Sequence, residues 1–207
     1  MRIDRRYRGP DESGNGGYSA GTFAELVDGD AEVTLRSPPP LDRELRVDGL
    51  DVYDGETLVA QVRPVTVELE LPLPPAHVEA GEPDPGHPFP NCFVCGPARS
   101  DGLRLQPRQY GALVAAPWRP QEIRRELVWA ALDCPGAFAV DPALSRGASV
   151  LGRIAVHVEA LPEAGDELVI VGWDLGGGDA RRSYAGTALF RGESALAWAR
   201  ATWFSIG

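Results

Sequence analysis

The strongest constraint on this chain comes from residues 126–140, which read ELVWAALDCPGAFAV. After the leading Glu126, every residue except Asp133 is apolar or small, so a helix made of them has no polar face and must be surrounded by protein. A carboxylate in such surroundings is costly unless it is paired or protonated. Asp133 is therefore either an acid that caps a turn before Pro135 and Gly136, or a catalytic carboxylate in a dry cleft. We favour the second interpretation.

Charge and composition limit the partners of the chain. A net charge of −10 argues against nucleic acid, which requires a basic surface. The acidic excess lies in residues 1–86, whereas residues 87–207 are neutral, so an anionic ligand would bind the second half. No apolar run approaches the roughly 20 residues that span a bilayer, no apolar segment follows the first residues, and three cysteines are an odd number. These features predict a cytoplasmic protein without membrane or nucleic-acid partners.

Two similar series of elements follow one another along the chain. Residues 13–27 read as a Gly-rich turn and a helix with Asn15 at its N-cap, and strand patterns follow up to residue 71. The Pro-rich residues 72–90 read as a linker. Residues 113–118 then predict a strand, which precedes the helix around Asp133. Four further strands are predicted at residues 150–160, 167–175, 183–190 and 195–204.

This order indicates an internal duplication of a helix followed by antiparallel strands. It predicts an α+β protein with an N-terminal repeat at 1–71, a linker at 72–90 and a C-terminal repeat at 91–207. Pairing the two sheets edge to edge would remove two exposed strand edges. We therefore expect one continuous sheet around two central helices.

Several segments resemble hotdog-fold acyl-CoA thioesterases. The runs VLGRIAV at 150–156 and LPEAGDELV at 161–169 are similar to the strand region of those enzymes, and NGGYSAG at 15–21 is similar to their Gly-Gly helix start. The run CFVCG at 92–96 resembles the phenylacetate-pathway branch, and EVTLR at 32–36 resembles the double-hotdog branch. The resemblance implies a double-hotdog fold and hydrolysis of an acyl thioester, with acyl-CoA as the partner molecule.

In that superfamily the site combines one helix N-terminus with an acid from the other helix. The resemblance implies that the backbone N–H groups of Gly16 and Gly17 stabilise the oxyanion, and that Asp133 acts as general base or nucleophile. Neither half contains both parts, so one working site is expected per chain. Glu25 is the reserve acid.

Substrate contacts are expected from six further residues: Asn15, Tyr18, Trp129, Cys134, Arg181 and Arg182. The arginine pair could hold the phosphates of coenzyme A, although such pairs are often solvated surface. Core packing is the alternative for Trp129 and the favoured one for Cys134. In the double-hotdog branch that the chain resembles, a Thr and a Gln from nearby strands support the acid. No glutamine lies on the predicted strands of the second half, and Thr187 and Thr202 are candidate helpers.

No cofactor is expected apart from coenzyme A as part of the substrate. Cys92 and Cys95 are spaced as in zinc sites, but only Cys134 and His87 could complete a ligand set, so a reduced pair and no metal are predicted. His157 falls on the outer face of its strand, which disfavours a hydratase or dehydratase. A non-catalytic hotdog protein that binds an acyl or aromatic ligand remains an alternative. The chain could also pair into a homodimer of double-hotdog chains.

Overall fold

The computed structural model describes residues 1–141 and 147–206. Its regular elements, in chain order, are α1 (Gly16–Phe23), β1 (Ala31–Leu35), β2 (Arg46–Asp48), β3 (Asp51–Asp54), β4 (Thr57–Pro64), β5 (Arg108–Tyr110), β6 (Leu113–Trp118), α2 (Arg125–Ala131), α3 (Cys134–Val140), β7 (Ala148–Val158), β8 (Leu168–Asp174), β9 (Arg182–Arg191) and β10 (Ser194–Ile206). Two short 3₁₀ turns lie at Arg5–Tyr7 and Ala24–Leu26.

All ten strands form one sheet in the order β2-β3-β4-β1-β7-β10-β9-β8-β6-β5, and the paired strands run antiparallel. The two halves join where β1 pairs with β7, with Val33 opposite Ile154. Both residues are fully buried, so the junction belongs to the core and is covered rather than exposed. The predicted continuous sheet around central helices is confirmed.

The second central helix is broken at Asp133, whereas a single helix was expected over residues 126–140. Helix α2 ends at Ala131 and α3 begins at Cys134. Pro135 lacks an N–H group and its ring would collide with the preceding turn of a continuous helix, which accounts for the break. The break leaves Asp133 with ψ −81° between the two helices, and its side chain makes no capping bond to α3.

Helices α1 and α2 pack closely because glycine replaces a side chain at their contact. A Cβ atom on Gly21 would lie 2.7 Å from Cβ of Trp129 and 2.8 Å from Cα of Glu126, both far closer than a packed contact. The same crossing places the start of α1 beside the α2–α3 break. This approach brings residues from the two halves together at one point.

Two local predictions differ from the structure. Residues 65–71 were expected to continue a strand, but β4 ends at Pro64 and the N–H groups of Val65 and Val67 donate to Asp30 instead of to a neighbouring strand. Strand β5 was missed, since three residues give too little alternation to detect. The repeat boundaries at residues 71 and 91 stay a prediction. No helix in the described residues is long and apolar enough to cross a membrane.

Candidate active site

Asp133 is held by the start of α1, which belongs to the other half of the chain. Its Oδ2 accepts hydrogen bonds of 2.9 Å from the side-chain amide of Asn15 and of 2.9 Å from the N–H of Gly17. The side chain is buried, with 1% of its surface exposed. Its Oδ1 has no hydrogen-bond partner within residues 1–141 and 147–206. One oxygen therefore fixes the carboxylate and the other is left for a ligand.

Asn15 hydrogen-bonds both to the backbone of α1 and to Asp133. As the N-cap of α1, its Oδ1 accepts a 2.9 Å hydrogen bond from the N–H of Tyr18, while its Nδ2 donates to Asp133. An aspartate could make the first bond but has no donor for the second. The sequence predicted the N-cap and a substrate contact for Asn15, but the bond between residues 118 positions apart could not be seen without the fold.

The surroundings of Asp133 shift its pKa toward neutrality. Burial raises the pKa of Asp133 from its ordinary 3.8 to about 7, and the nearby Cys92 adds to this increase. The hydrogen bonds from Gly17 and Asn15 act in the opposite direction, because they stabilise the charged form. A base of this pKa is half ionised near neutral pH, where proton transfer is most effective.

The two glycines at the start of α1 have different surroundings. A Cβ atom on Gly17 would lie 2.4 Å from Cβ of Asp133 and 2.6 Å from the carbonyl oxygen of Trp129, so only glycine fits between these groups. The N–H of Gly17 already donates to Asp133, although the sequence predicted that it would face the substrate. The N–H of Gly16 has no partner in the described parts of the chain, and Gly16 lines a cavity. Gly16 is thus the donor available to an oxyanion.

A cavity of about 520 Å³ opens beside this acid. Its size lies in the range of small-molecule sites. Asp133, Asn15 and Gly16 form its polar end. Most of the remaining wall is apolar, and its larger members are Leu35, Phe89, Phe138, Leu151, Trp203 and Phe204. The arrangement can hold an apolar chain with its reactive end next to a carboxylate.

Of the predicted substrate contacts, only Asn15 and Cys134 are among the described residues that line this cavity. Tyr18 stacks on Tyr7 with ring centroids 3.8 Å apart, and Trp129 is fully buried against Gly21. These two aromatic residues pack the helices. Neither of them is among the described residues that line the cavity, so their predicted contact with substrate gains no support here.

The predicted cations and the reserve acid lie away from the cavity wall. Arg182 pairs with Asp179 at 2.8 Å, and Arg181 is exposed beside it. Glu25 is exposed beyond the far end of α1. Among the described residues, Arg36 does line the cavity, and its Nε donates to Gln61 at 2.9 Å. The sequence gave no indication of this position. A role of Arg181 and Arg182 toward coenzyme A stays a prediction.

Two further residues support the site from the sheet. Thr187 on β9 is buried and donates a 2.7 Å hydrogen bond to the carbonyl of Leu132, the residue before Asp133. Trp203 on β10 lines the cavity, and its buried Nε1 has no partner within the described residues. The sequence indicated Thr187 as a helper. It gave no signal for Trp203, because an aromatic residue on a strand is usually packing alone.

Three cysteines meet at the same place. The Sγ atoms of Cys92 and Cys134 are 3.8 Å apart, and both lie 3.8 Å from Nδ2 of Asn15. With Cys95 they form a buried group whose sulfur atoms all lie within 4.8 Å of one another. All three are free thiols and line the cavity. This is the group among the described residues that could hold a metal ion.

His157 lies on the outer face of the sheet, as predicted. Its ring contacts Asp30 at 2.8 Å and Glu159 at 3.1 Å and stacks on Trp198. It is not among the described residues of the cavity wall. This position gives no support to a hydratase.

Known structures with the same architecture decide the fold. The structure of the tesB protein from Mycobacterium avium subs paratuberculosis matches with a TM-score of 0.59 at 14% identity, over 94% of this chain and 88% of that one. A protein of unknown function with a hot dog fold from Alicyclobacillus acidocaldarius matches with a TM-score of 0.59 at 14% identity, over 100% of this chain and 92% of that one. The chain has a double-hotdog fold.

A third hotdog match agrees over the whole chain. A protein from Novosphingobium aromaticivorans that is provisionally named a thioesterase matches with a TM-score of 0.63 at 13% identity. The match extends over 100% of this chain and 94% of that one. No family model matches the sequence, and no curated protein matches it. At these identities the likeness establishes the double-hotdog fold and leaves the chemistry to be argued from the site.

Proposed function

We propose that this double-hotdog protein hydrolyses an acyl-CoA or a related acyl thioester. The observation that carries the proposal is the buried Asp133, fixed through one oxygen by the helix start of the other half. Its second oxygen has no partner among the described residues and lies beside an apolar cavity. The Novosphingobium aromaticivorans neighbour, provisionally named a thioesterase, shares the fold, which is consistent with this chemistry. The free thiols of the chain suit the cytoplasm as its location.

The acyl chain would occupy the apolar part of the cavity, with the thioester carbonyl next to Gly16 and Asp133. Asp133 takes a proton from water as the water oxygen attacks the carbonyl carbon. The N–H of Gly16 donates to the developing oxyanion, an interaction worth roughly 3–4 kcal/mol. Collapse of the tetrahedral intermediate breaks the C–S bond, and the leaving thiolate takes the proton back from Asp133. The products are a carboxylic acid and free coenzyme A, and no other cofactor takes part.

Asn15 and Gly17 act in this scheme by positioning the base. Their two hydrogen bonds keep Oδ2 in place and prevent the pKa of Asp133 from rising further in its buried surroundings. Arg36 lies at the cavity and is exposed, so it can contact a phosphate of coenzyme A without losing its own hydration.

The test is release of coenzyme A across short, medium, branched and aromatic acyl-CoAs, followed with a thiol reagent. Wild type is compared with Asp133→Asn, and Glu25→Gln is the matched control because Glu25 is an exposed acid of the same chain. The protein's own three cysteines require a blank without substrate. We expect turnover to fall a hundredfold or more in Asp133→Asn, which is the scale of a lost general base, and to stay unchanged in Glu25→Gln.

The pH dependence adds a second readout. Because Asp133 must be ionised to act, kcat/KM should rise with pH up to about 7 and then level off, following the raised pKa of that carboxyl. Turnover that survives Asp133→Asn would move the base to another residue. An absence of turnover on every substrate would contradict the proposal.

The second candidate is a non-catalytic protein that binds an acyl or aromatic ligand. It is favoured by one observation, namely that the Gly17 N–H expected to polarise the substrate is occupied by Asp133. Under this hypothesis, calorimetric titration would detect binding of acyl-CoAs without any release of coenzyme A. Binding should then be as tight in Asp133→Asn as in wild type.

A further inference from the structure

We propose that Cys92, Cys95 and Cys134 form a binding site for a thiophilic divalent ion, with zinc as the expected metal. The site lies in the wall of the cavity and joins the loop that carries Cys92 and Cys95 to the start of α3. This goes beyond the proposed hydrolysis, because that reaction needs no metal. It replaces the expectation from sequence that no metal binds here.

The spacing of the sulfur atoms fits tetrahedral coordination. With zinc–sulfur bonds of about 2.3 Å, two ligands at the tetrahedral angle lie about 3.8 Å apart. The Sγ atoms of Cys92 and Cys134 are 3.8 Å apart, and Cys95 Sγ lies within 4.8 Å of both. A disulfide needs a separation of about 2.05 Å, so bond formation requires a larger movement than metal binding does.

The loop around Cys92 is already shaped to hold a thiolate. The thiols of Cys134 and Cys95 and the backbone N–H groups of Cys95 and Val94 surround Cys92 Sγ within hydrogen-bonding reach. The N–H of Gly96 donates to the carbonyl of Cys92 at 2.9 Å, which closes a tight turn. A Cβ atom on Gly96 would lie 2.4 Å from the backbone nitrogen of Cys92, so this turn needs glycine.

Asn15 supplies a further donor to the cluster. Its Nδ2 lies 3.8 Å from the sulfur atoms of both Cys92 and Cys134. Three thiolates and one divalent ion carry one net negative charge, and amide donors around the sulfur atoms stabilise it. The protons of the thiols leave to solvent on binding, so binding strengthens as pH rises.

The fourth coordination position would be filled by solvent from the cavity, because all three cysteines line it. His87 also lines the cavity, but its Nδ1 accepts a 3.0 Å hydrogen bond from the N–H of Phe89. A neutral imidazole that accepts at Nδ1 carries its proton on Nε2 and has no free lone pair there. Three protein ligands with an open fourth position are typical of accessible zinc sites rather than closed structural ones.

The experiment measures metal content and coordination in the full chain. Protein purified with reductant is stripped with a chelator, reloaded with limiting Zn²⁺ and analysed by elemental mass spectrometry, and its affinity is measured against a chromophoric chelator. Cobalt reloading gives a separate readout, since thiolate ligands produce a charge-transfer band and tetrahedral geometry produces intense visible bands. Cys95→Ser tests the ligand set, and Ser13→Ala is the control because Ser13 is a buried residue of the same wall. Circular dichroism checks that each variant is folded.

We expect about one zinc ion per chain in wild type and in Ser13→Ala, and affinity at least a hundredfold weaker in Cys95→Ser. Wild-type protein that takes up no zinc at excess metal would overturn the proposal. So would zinc binding that is unchanged in Cys95→Ser, or a Cys92–Cys134 disulfide that forms readily in air while no metal binds. None of these readouts depends on thioesterase activity, so the metal site and the proposed hydrolysis stand or fall separately.

Discussion

Replacing Asp133 by asparagine should stabilise the protein increasingly as pH rises from 5 to 7. In the unfolded chain this carboxyl ionises at its ordinary pKa of 3.8, whereas burial raises its pKa to about 7 in the folded chain. Between these values the folded state binds one proton more than the unfolded state, so the free energy of unfolding falls with rising pH. Asparagine has no proton to bind, and Asp133→Asn removes this dependence.

The magnitude follows from the size of the pKa change. A difference of about 3 pH units corresponds to about 4 kcal/mol at pH 8, where the folded state carries the full cost of a buried charge. From pH 5 to pH 7 the difference between the variant and wild type should grow by about 2 kcal/mol, because Asp133 of the wild type is already half ionised at the upper limit. The variant also rearranges hydrogen bonds with Asn15 and Gly17, but this contribution does not change with pH.

Urea unfolding of reduced, metal-free wild type and Asp133→Asn, measured at intervals from pH 5 to pH 8, gives the required difference curve. Only its slope is interpreted, because the offset contains the altered hydrogen bonds. A difference that stays flat to within about 0.5 kcal/mol would show that Asp133 has the same charge in both states over this range. Asp133 would then be ionised in the folded protein throughout this range, and the idea that it is a base with a pKa near 7 would have to be abandoned.

Three other substitutions test the packing around the same acid. Gly17→Ala should destabilise the protein by about 1–3 kcal/mol in urea unfolding, because its Cβ would press on Asp133 and on the backbone of Trp129; an unchanged midpoint would refute the close fit. Thr187→Val should cost about 1–3 kcal/mol by leaving a buried carbonyl unpaired, and a neutral effect would mean that the hydrogen bond contributes little. Trp203→Phe removes Nε1, which is unpartnered among the described residues, together with part of a buried ring, so stability should fall by about 1–3 kcal/mol. If Nε1 contacts substrate, kcat/KM should also fall roughly tenfold. Unchanged kinetics would remove Trp203 from the site.

The fold could be predicted from sequence because its signals are local and regular. The strands β6 to β10 alternate apolar and polar residues over six or more positions or run through the core, and the chain repeats the order of helix and strands. The helix break at residues 132–133 was missed, because an apolar run hides the competing effect of Pro135. Short pieces such as β5 give no periodic signal at all.

The candidate site was predictable in its parts and not in its connections. Asp133 is conspicuous as a charge in an apolar run, and Gly16 and Gly17 follow a familiar helix-start pattern. Which of the two glycine N–H groups faces the cavity depends on how α1 crosses α2, and no local pattern encodes that crossing. The meeting of Cys92 with Cys134, 42 positions apart, likewise depends on tertiary packing that no local pattern encodes.

The contact between Asp133 and the start of α1 explains why neither half can supply the site alone. Without Asn15 and Gly17, the carboxylate in the α2–α3 break would lose both donors that stabilise its charge and would stay protonated at neutral pH. Without Asp133, the N–H of Gly17 would be a buried donor with no acceptor. Each half therefore completes the hydrogen bonding of the other. Within the described residues, Oδ1 of Asp133 and the N–H of Gly16 keep no partner, and in the proposed reaction these two groups contact the substrate.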